Sequence, residues 1–543
     1  MIYEAHIASS LEKIFPDQYI PTDHLPVSSA LRGETFSFQV ALYSPNPDAS
    51  EFASISVNST LHPYIRLREV LLVPAAFPCN AYADDDFLRK EPGLFPDLLR
   101  DLDERGIQFI SCQWRALWVD IEITRKTPAG QHHIELTFAI NEKEICCTET
   151  VLNILDITLP EQKLLQTRWF YTNCLSDYYQ VPMYSEKHWE IIENFISLYV
   201  KRGMNMLLTP IHTPPLDTAV GHYLPSTQLV DIEVENNTYH FQFTKLKRWV
   251  DIALRCGIKK FEMAHLFTQW GAKTAPMIIA KVDGVEKRIF GWDTPATDPV
   301  FVNFLKSYLG ELTAVLREWG IAEHCCFHIS DEPSKEHLEN YKAAKSCVEG
   351  ILKDFKIMDA LSNYDFYKTG TVSLPVCASD HISEFLENKV KPLWTYYCCS
   401  QQVDVANQFI AMPSRRNRII GIQLYKFEIE GFLHWGFNFY NSQYSIKKIN
   451  PYEITDAQNA FPAGDPFLVY PGKDGIPEDS IRSMIASQAM YDLRALQLLE
   501  EKIGRSQVLK LIDHEMEITF SSYPRTDEYI NDLRNRIHEL LVV

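Results

Sequence analysis

Two adjacent carboxylates, Asp331 and Glu332, directly follow a short apolar segment and are the strongest chemical signal in the sequence. Residues 325–329 favour a buried strand, while Pro333 and the polar residues after it open a helical stretch. In a strand–helix unit the pair therefore lies at the carboxyl end of a strand, where barrel enzymes place their catalytic groups. Two carboxylates at that position predict acid/base chemistry on a glycosidic bond.

The adjacency of the two carboxylates indicates that their side chains have different roles in the reaction. Consecutive side chains diverge, so the pair does not match an acid and a nucleophile that face one bond across about 5–5.5 Å. It matches substrate-assisted catalysis, in which the 2-acetamido oxygen of the sugar is the nucleophile. We expect Glu332 to be the general acid, with a pKa raised by burial and by the neighbouring charge. Asp331 would hold the acetamido N–H and stabilise the developing oxazolinium charge.

A simpler interpretation of the same dipeptide is an acidic helix start. Carboxylates stabilise the N-terminal end of a helix dipole, and proline suits the first turn. The position of the pair after an apparent strand, within repeated strand–helix units, favours the catalytic interpretation.

Aromatic residues recur at the ends of several predicted strands, where they would form a sugar pocket because sugar rings stack their apolar faces on aromatic rings. They are Trp169, Tyr171, Trp270, Trp394, Tyr396, Trp435 and Phe437. For each one taken singly, packing between barrel and helices is the alternative. From this set we predict substrate contacts by Tyr396, Trp394, Trp435 and Trp270.

Two histidines, His212 and His265, also follow predicted strands and complete the predicted substrate-binding set, with structural hydrogen bonding as the alternative for each. No His-Glu-x-x-His, clustered Cys/His spacing or calcium-loop pattern occurs, so we expect no metal. The sequence also lacks Gly-x-Ser-x-Gly, a P-loop and a dinucleotide glycine fingerprint. This argues against a serine hydrolase, an NTPase or a Rossmann dehydrogenase, and we expect no cofactor.

Composition limits the partners. The 543 residues carry 71 Asp+Glu against 52 Lys+Arg, a formal charge of -19, which disfavours nucleic acid. No apolar run approaches the ~18–20 residues of a membrane span, and the first residues do not resemble a signal peptide. The 12 cysteines contain no Cys-x-x-Cys, and we interpret them as reduced thiols of a cytoplasmic protein. The oligomeric state does not follow from the sequence.

The pattern of elements predicts three parts. Residues 1–160 alternate apolar and polar side chains between turn signals, which is typical of an antiparallel β-sandwich. Residues 161–492 repeat strand and helix and predict a (β/α)8 TIM-like barrel. Residues 493–543 are mostly helical and form a predicted C-terminal helical extension.

Individual elements can be placed within the predicted barrel. Strands are expected over 167–172, 204–209, 258–264, 325–330, 357–361, 392–398 and 431–437. Helices are expected over 186–201, 243–256, 300–319 and 335–353.

The sequence resembles glycoside hydrolase family 123, and the motifs that carry the likeness extend along nearly the whole chain. They are residues 32–40, 188–217 and 265–271, Asp331-Glu332-Pro333, and residues 393–396, 431–436 and 465–472. The resemblance implies an N-terminal β-sandwich, a catalytic (β/α)8 barrel and β-N-acetylgalactosaminidase activity. It also implies that Glu332 is the acid/base, that Asp331 orients the acetamido group, that Tyr396 hydrogen-bonds the acetamido carbonyl and that Trp435 shapes the pocket.

The sequence thus predicts a retaining exo-glycosidase that releases terminal β-linked N-acetylgalactosamine from an oligosaccharide or glycoconjugate. A non-catalytic glycan-binding relative and a scaffolding protein are the alternatives outside enzymology. A β-hexosaminidase or β-galactosidase of different specificity is the alternative within it. Cleavage of plain galactosides needs a second carboxylate on a distant strand, for which Glu262 and Asp359 are candidates. The C4 preference, the aglycone and the linkage do not follow from the sequence.

Overall fold

The computed structural model describes residues 2–543, and its N-terminal region is built from two β-sheets that share one apolar core. The strands of this region are β1 (Glu4–Ser9), β2 (Ser29–Arg32), β3 (Glu34–Tyr43), β4 (Phe52–Asn58), β5 (Ile65–Ala75), β6 (Gly93–Asp101), β7 (Ile107–Gln108), β8 (Arg115–Ile123), β9 (Gly130–Ile140) and β10 (Lys143–Thr158). Paired strands are antiparallel except for β2, which runs parallel to β10.

Side-chain alternation explains how the two sheets pack. Along β9, Ile134, Leu136 and Phe138 are buried, whereas the residues between them are half-buried or exposed. These side chains share a core with Val40 and Val119 of the opposite sheet. Each sheet therefore turns one face inward, as expected for antiparallel strands with a period of two. The antiparallel β-structure predicted for this region is confirmed.

The remaining elements belong to the rest of the chain. The strands are β11 (Leu165–Arg168), β12 (Met206–Thr209), β13 (Asp231–Glu235), β14 (Thr238–Gln242), β15 (Lys260–Met263), β16 (Ile278–Val282), β17 (Val285–Phe290), β18 (Cys325–Phe327), β19 (Lys356–Leu361), β20 (Leu374–Ala378), β21 (Trp394–Tyr396), β22 (Gly431–His434) and β23 (Asp479–Ser480). The helices are α1 (Thr172–Tyr179), α2 (Glu186–Lys201), α3 (Thr244–Cys256), α4 (Pro299–Glu318), α5 (Leu338–Ser346), α6 (Asp365–Lys368), α7 (Ser383–Glu387), α8 (Ser414–Arg418), α9 (Ile420–Lys426), α10 (Ile481–Ile503), α11 (Arg505–Ile512) and α12 (Asp527–Val542). Among residues 2–543, no helix has both the length and the apolar character of a membrane span.

Eight parallel strands form a closed barrel in the order β11-β12-β15-β18-β19-β20-β21-β22, and β22 pairs back to β11. Each connection between consecutive barrel strands contains at least one helix. Every residue of β12, β20 and β22 is buried. Continuous burial is expected for parallel strands that are covered on both faces, and it explains their largely apolar sequences.

The structure places a strand at every predicted barrel-strand position, although most of these strands are shorter than predicted. It adds β20, which the sequence does not predict because this short strand contains a proline. The first barrel strand ends at Arg168, so the prediction of a strand over 167–172 runs too far along the chain. The predicted helix over 335–353 is shorter in the structure, where α5 ends at Ser346.

A four-stranded sheet, β14-β13-β16-β17, is inserted in the connections that follow β12 and β15. Tyr239 and Phe241 of β14 pack their rings against Phe304 of α4, with centroid distances of 5.1 Å and 6.1 Å. This aromatic contact attaches the inserted sheet to the outside of the barrel. The inserted sheet was not predicted from the sequence.

Helix α10 connects the N-terminal region to the barrel, because it packs on α8 and α9 and also on β6. Directly before it, β23 pairs with β6. Asp479 of β23 accepts hydrogen bonds from Arg68 (2.8 Å) and Arg202 (2.6 Å), and all three side chains are buried. The predicted divisions after residues 160 and 492 stay predictions, and α10 runs continuously through the second one.

Candidate active site

The acidic pair lies just beyond the carboxyl end of β18 and is held by the segment that follows β15. The backbone N–H of Trp270 donates to the Asp331 carbonyl (3.2 Å). Ser330 Oγ donates to the Thr268 carbonyl (2.9 Å). These two bonds fix the position of Asp331 and Glu332 relative to the neighbouring strand.

The acidic pair does not begin a helix. Ser334 caps a short 3-10 turn, and α5 begins only at Leu338, so the structure does not show the acidic helix start. Instead Glu332 adopts a φ of 40°, in the left-handed region that non-glycine residues rarely occupy. Asp217 and Trp270, which line the same pocket, share this conformation with φ of 38° and 58°. Strained backbone of this kind concentrates at functional sites.

Asp331 and Glu332 open into a pocket of about 110 Å³ at the carboxyl ends of the barrel strands. Six aromatic side chains form part of its wall, namely Trp169, Tyr171, Trp270, Tyr396, Trp435 and Phe461. The structure thus brings the predicted residues Trp270, Tyr396 and Trp435 together with the acidic pair. Their roles in binding and catalysis stay predictions.

The surroundings of the pair raise the pKa of both carboxyl groups. Asp331 is half-buried, and Glu332 keeps an exposed surface towards the pocket mouth. Loss of water and the charge of Glu332 raise the pKa of Asp331 well above its usual range, and loss of water raises the pKa of Glu332. The Tyr396 hydroxyl donates to Glu332 Oε1 (2.6 Å), which opposes that rise. A pair of this kind can retain one proton near neutral pH, as acid catalysis requires.

Asp217 is a third carboxyl group in the pocket and is not among the site residues predicted from the sequence. Its Oδ2 accepts the N–H of Tyr444 (3.0 Å), and its own N–H donates to Gln269 Oε1 (2.6 Å). Burial raises the pKa of Asp217 to about 7. Its position in the sequence could have identified it, because Asp217 lies in the segment after β12 as Asp331 lies in the segment after β18.

Carboxylates behind the pocket orient two of its tryptophans. Trp169 Nε1 donates to Glu262 Oε1 (2.7 Å), and Trp435 Nε1 donates to Asp465 Oδ2 (2.8 Å). Trp270 lies at the rim and is 41% exposed. Two rings with fixed orientation and one at the rim provide flat apolar surfaces on which a sugar can stack.

The structure places three predicted substrate contacts outside the pocket. Trp394 is the first residue of β21, so it lies at the opposite end of the barrel and lines a cavity there. Its ring packs closely on Gly431, where an added Cβ atom would lie only 1.9 Å from the ring. His212 and His265 are buried behind the pocket wall. His212 Nε2 donates to the His265 carbonyl (2.7 Å), and burial lowers the pKa of His212 to about 4. Local sequence patterns do not show which end of a strand a residue occupies or how deep it lies.

A fully buried ion triad of Glu262, His328 and Asp359 lies beneath the acidic pair. His328 Nε2 donates to Glu262 Oε1 (2.7 Å), and His328 Nδ1 donates to Asp359 Oδ1 (3.1 Å). Burial opposes the charge on His328, but the hydrogen bonds to Asp359 and Glu262 raise its pKa to about 10. Neither carboxylate lines the pocket, so neither is placed to be the second carboxylate of a plain β-galactosidase.

The triad also explains a cluster whose composition suits a metal ion. The ligand atoms of His265, His328 and Asp359 lie within 4.8 Å of one another. Both ring nitrogens of His328 are engaged by carboxylates, Nε2 by Glu262 (2.7 Å) and Nδ1 by Asp359 (3.1 Å). The cluster therefore fits an ion triad, on which the neutral ring of His265 stacks with centroids 4.1 Å apart.

The chain is similar to known proteins in sequence and in structure. The sequence model described as Glycoside hydrolase 123, catalytic domain, matches residues 169–499. The structure is similar to that of a family 123 glycoside hydrolase from Clostridium perfringens studied for glycolipid glycan hydrolysis, with a TM-score of 0.76, 15% identity and coverage of 99% of this chain and 98% of that chain. A family 5 xyloglucanase from Bacteroides ovatus superposes more loosely, with a TM-score of 0.32, 7% identity and coverage of 87% and 99% of the two chains. No curated protein matches the sequence.

Proposed function

The chain belongs to glycoside hydrolase family 123, and from this premise we propose that it is a retaining exo-glycosidase that releases terminal β-linked N-acetylgalactosamine by substrate-assisted catalysis. The adjacent pair Asp331–Glu332 in a small aromatic pocket is the observation that carries the proposal. The commitment of Glu262 and Asp359 to the buried triad supports it, because it removes the two carboxylates that the sequence offered as a separate nucleophile.

The fold class that we propose also rests on membership of glycoside hydrolase family 123. The alternation of barrel strands and helices supports a (β/α)8 TIM-like barrel, preceded by a β-sandwich and followed by a helical extension. In such a barrel the carboxyl ends of the strands carry the chemistry, which is where Asp331, Glu332 and Tyr396 lie.

In the proposed reaction, Glu332 protonates the glycosidic oxygen as the bond between C1 and that oxygen breaks. The acetamido carbonyl oxygen attacks C1 from the opposite face and forms an oxazolinium ion, whose N–H is held by Asp331. The Glu332 carboxylate then takes a proton from the water that attacks C1 and reopens the ring. Two inversions at C1 leave the β configuration unchanged, so the enzyme retains it.

Substrate binding would place the proton of the pair on Glu332. An acetamido N–H bound to Asp331 favours the ionised form of that carboxyl group, and the positive charge of the oxazolinium ion strengthens the effect. The remaining proton then stands on Glu332, next to the leaving oxygen. Tyr396, which donates to Glu332 in the free protein, would turn its hydroxyl to the acetamido carbonyl and hold the nucleophile.

The small pocket supports action on a terminal sugar. Trp169, Trp270 and Trp435 supply walls for one ring, and Asp217 and Gln269 supply polar groups for its hydroxyls. We propose that the natural substrate is an oligosaccharide or glycoconjugate with a terminal N-acetylhexosamine. A cytoplasmic location is part of the proposal, since every cysteine is free and Cys112 and Cys147 are exposed. Activity found mainly outside intact cells would contradict it.

The central test measures nitrophenol release from the β-GalNAc, β-GlcNAc and β-galactoside conjugates by wild type, Asp331→Asn and Glu332→Gln. We expect preference for the GalNAc conjugate. Asp331→Asn should lower kcat by about 10²-fold or more, because the nucleophile is no longer held and its charge is not offset. Glu332→Gln should affect a GalNAc disaccharide more than the nitrophenyl conjugate, whose leaving group needs little protonation.

Two outcomes of this test would contradict the proposal. Unchanged turnover in Glu332→Gln on the disaccharide would exclude the acid role, and sugar binding without turnover in wild type would favour a glycan-binding relative. Glu336→Gln is the matched control, because Glu336 is an exposed carboxylate on the turn that follows the pair, and we expect it to be silent.

One observation favours a second candidate function. Asp217 is a pocket carboxylate outside the adjacent pair, and a β-galactosidase would use it as the nucleophile. The plain galactoside would then be cleaved as readily as the acetamido sugar, and Asp217→Asn would abolish both activities. Under the first proposal, Asp217→Asn raises KM more than it lowers kcat, since Asp217 contacts hydroxyls rather than C1.

A further inference from the structure

Two neighbouring cysteines, Cys398 and Cys399, face the same pocket as the acidic pair. They follow Tyr396, the last residue of β21. The Cys398 N–H donates to Gln401 Oε1 (2.8 Å), and Gln402 Nε2 donates to the Cys399 carbonyl (2.6 Å). These bonds fix the turn that carries both thiols relative to the pocket.

The two cysteines share the pocket of the acidic pair, unlike the other adjacent cysteines. The pairs at 146–147 and 325–326 lie within β10 and β18, where consecutive side chains point to opposite faces. Cys398 and Cys399 lie beyond the end of a strand, and both line the pocket of the acidic pair. Both side chains are half-buried and border open pocket volume, so a small ligand can reach both sulfurs at once.

We propose that Cys398 and Cys399 form a dithiol site that binds a trivalent arsenical and thereby closes the pocket. Sulfur ligands suit soft acceptors such as arsenic(III). Once the first sulfur is bound, the second reacts within the same molecule at a high effective concentration, and the resulting ring is held far more tightly than a single arsenic–sulfur bond. A cysteine without such a neighbour does not provide this advantage.

The reaction with phenylarsine oxide needs no oxidant or reductant. Both S–H bonds break, two As–S bonds form, and the oxygen of the arsenical leaves as water with the two protons. Arsenic stays trivalent throughout. The bound phenyl group would occupy the space next to Tyr396 and Glu332 that the sugar needs.

The test of binding uses intact-mass spectrometry of the full chain with phenylarsine oxide in the presence of excess monothiol. We expect one phenylarsenic group retained against the monothiol and removed by a dithiol. Cys398→Ser and Cys399→Ser should each lose this retention by at least about 10²-fold in affinity, because either change leaves one sulfur. Cys147→Ser, at an exposed cysteine of the 146–147 pair, should retain it. Retention in both serine variants, or no retention in wild type, would overturn the proposal.

The proposal that the bound arsenical closes the pocket rests on the proposed function, and a separate activity measurement tests it. We expect nitrophenol release to fall in step with arsenical occupancy and to return when a dithiol is added. Occupancy without inhibition would show that the site leaves the pocket open. The mass measurement does not depend on turnover, so failure of the glycosidase assay and failure of the thiol site are distinguishable.

Discussion

The Tyr396 hydroxyl donates a hydrogen bond to Glu332, the proposed acid, and so connects the end of β21 to the acidic pair. Tyr396→Phe removes a hydrogen bond to a group that carries charge during the reaction, which is worth about 1.5–3 kcal/mol. We expect kcat/KM to fall by about 10- to 100-fold. The bond lowers the pKa of Glu332, so its loss raises that pKa further. Activity that depends on protonated Glu332 then persists to higher pH, and a pH profile of kcat/KM checks the shift.

The control for this residue-scale prediction is Tyr64→Phe, in the N-terminal region, which should leave the profile unchanged. An alkaline limb that moves to lower pH in Tyr396→Phe would contradict the assigned direction of the hydrogen bond.

At the scale of elements, the triad ties β15, the segment after β18 and β19 together beneath the pocket. The pKa of His328 is raised to about 10, above its unfolded value of about 6.5. The stability that it contributes is therefore complete below about pH 6.5 and is lost as the pH rises through about 10. His328→Gln leaves two buried carboxylates without a cation, and we expect it to lower the free energy of unfolding by about 3–5 kcal/mol near pH 6. Chemical denaturation across this pH range measures both effects.

The matched control is His324→Gln, at the solvent-facing turn before the same strand. We expect it to change neither the stability nor its pH dependence. A wild-type stability that stays constant between about pH 6.5 and 10 would show that His328 is not held as an imidazolium.

At the scale of the whole molecule, Asp479 connects the N-terminal sheet to the barrel through Arg68 and Arg202. Burial opposes its charge, but the two arginines hold the pKa of Asp479 well below its usual range. Its stabilising effect is therefore present above the unfolded pKa of about 3.9 and is lost as the pH falls below that value. Asp479→Asn should lower the free energy of unfolding by about 3–5 kcal/mol at neutral pH, since two buried arginines lose their shared anion.

Denaturation of this variant, together with limited proteolysis between the N-terminal region and the barrel, measures the loss. Asp474→Asn is the control, because Asp474 lies exposed on the preceding turn and asparagine tolerates its left-handed backbone. Equal stability of the two variants would show that the ion cluster does not join the two regions.

Features that depend on neighbours along the chain follow from the sequence alone. Alternation with a period of two marked β3, β8 and β9, and the change to repeated strand–helix units marked the barrel. An apolar strand followed at once by Asp331 and Glu332 located the centre of the site, because the end of a parallel strand and the residues after it are adjacent in both sequence and space.

Features that depend on the closure of the barrel follow only from the three-dimensional packing. Glu262, His328 and Asp359 come from separate segments, and only the pairing of β15, β18 and β19 turns two candidate nucleophiles into a buried triad. Closure also placed Asp217 in the pocket and Trp394 at the opposite end. Local periodicity shows which side chains share a face, but the strand end that a residue occupies, its depth and its partner are set by packing between distant segments.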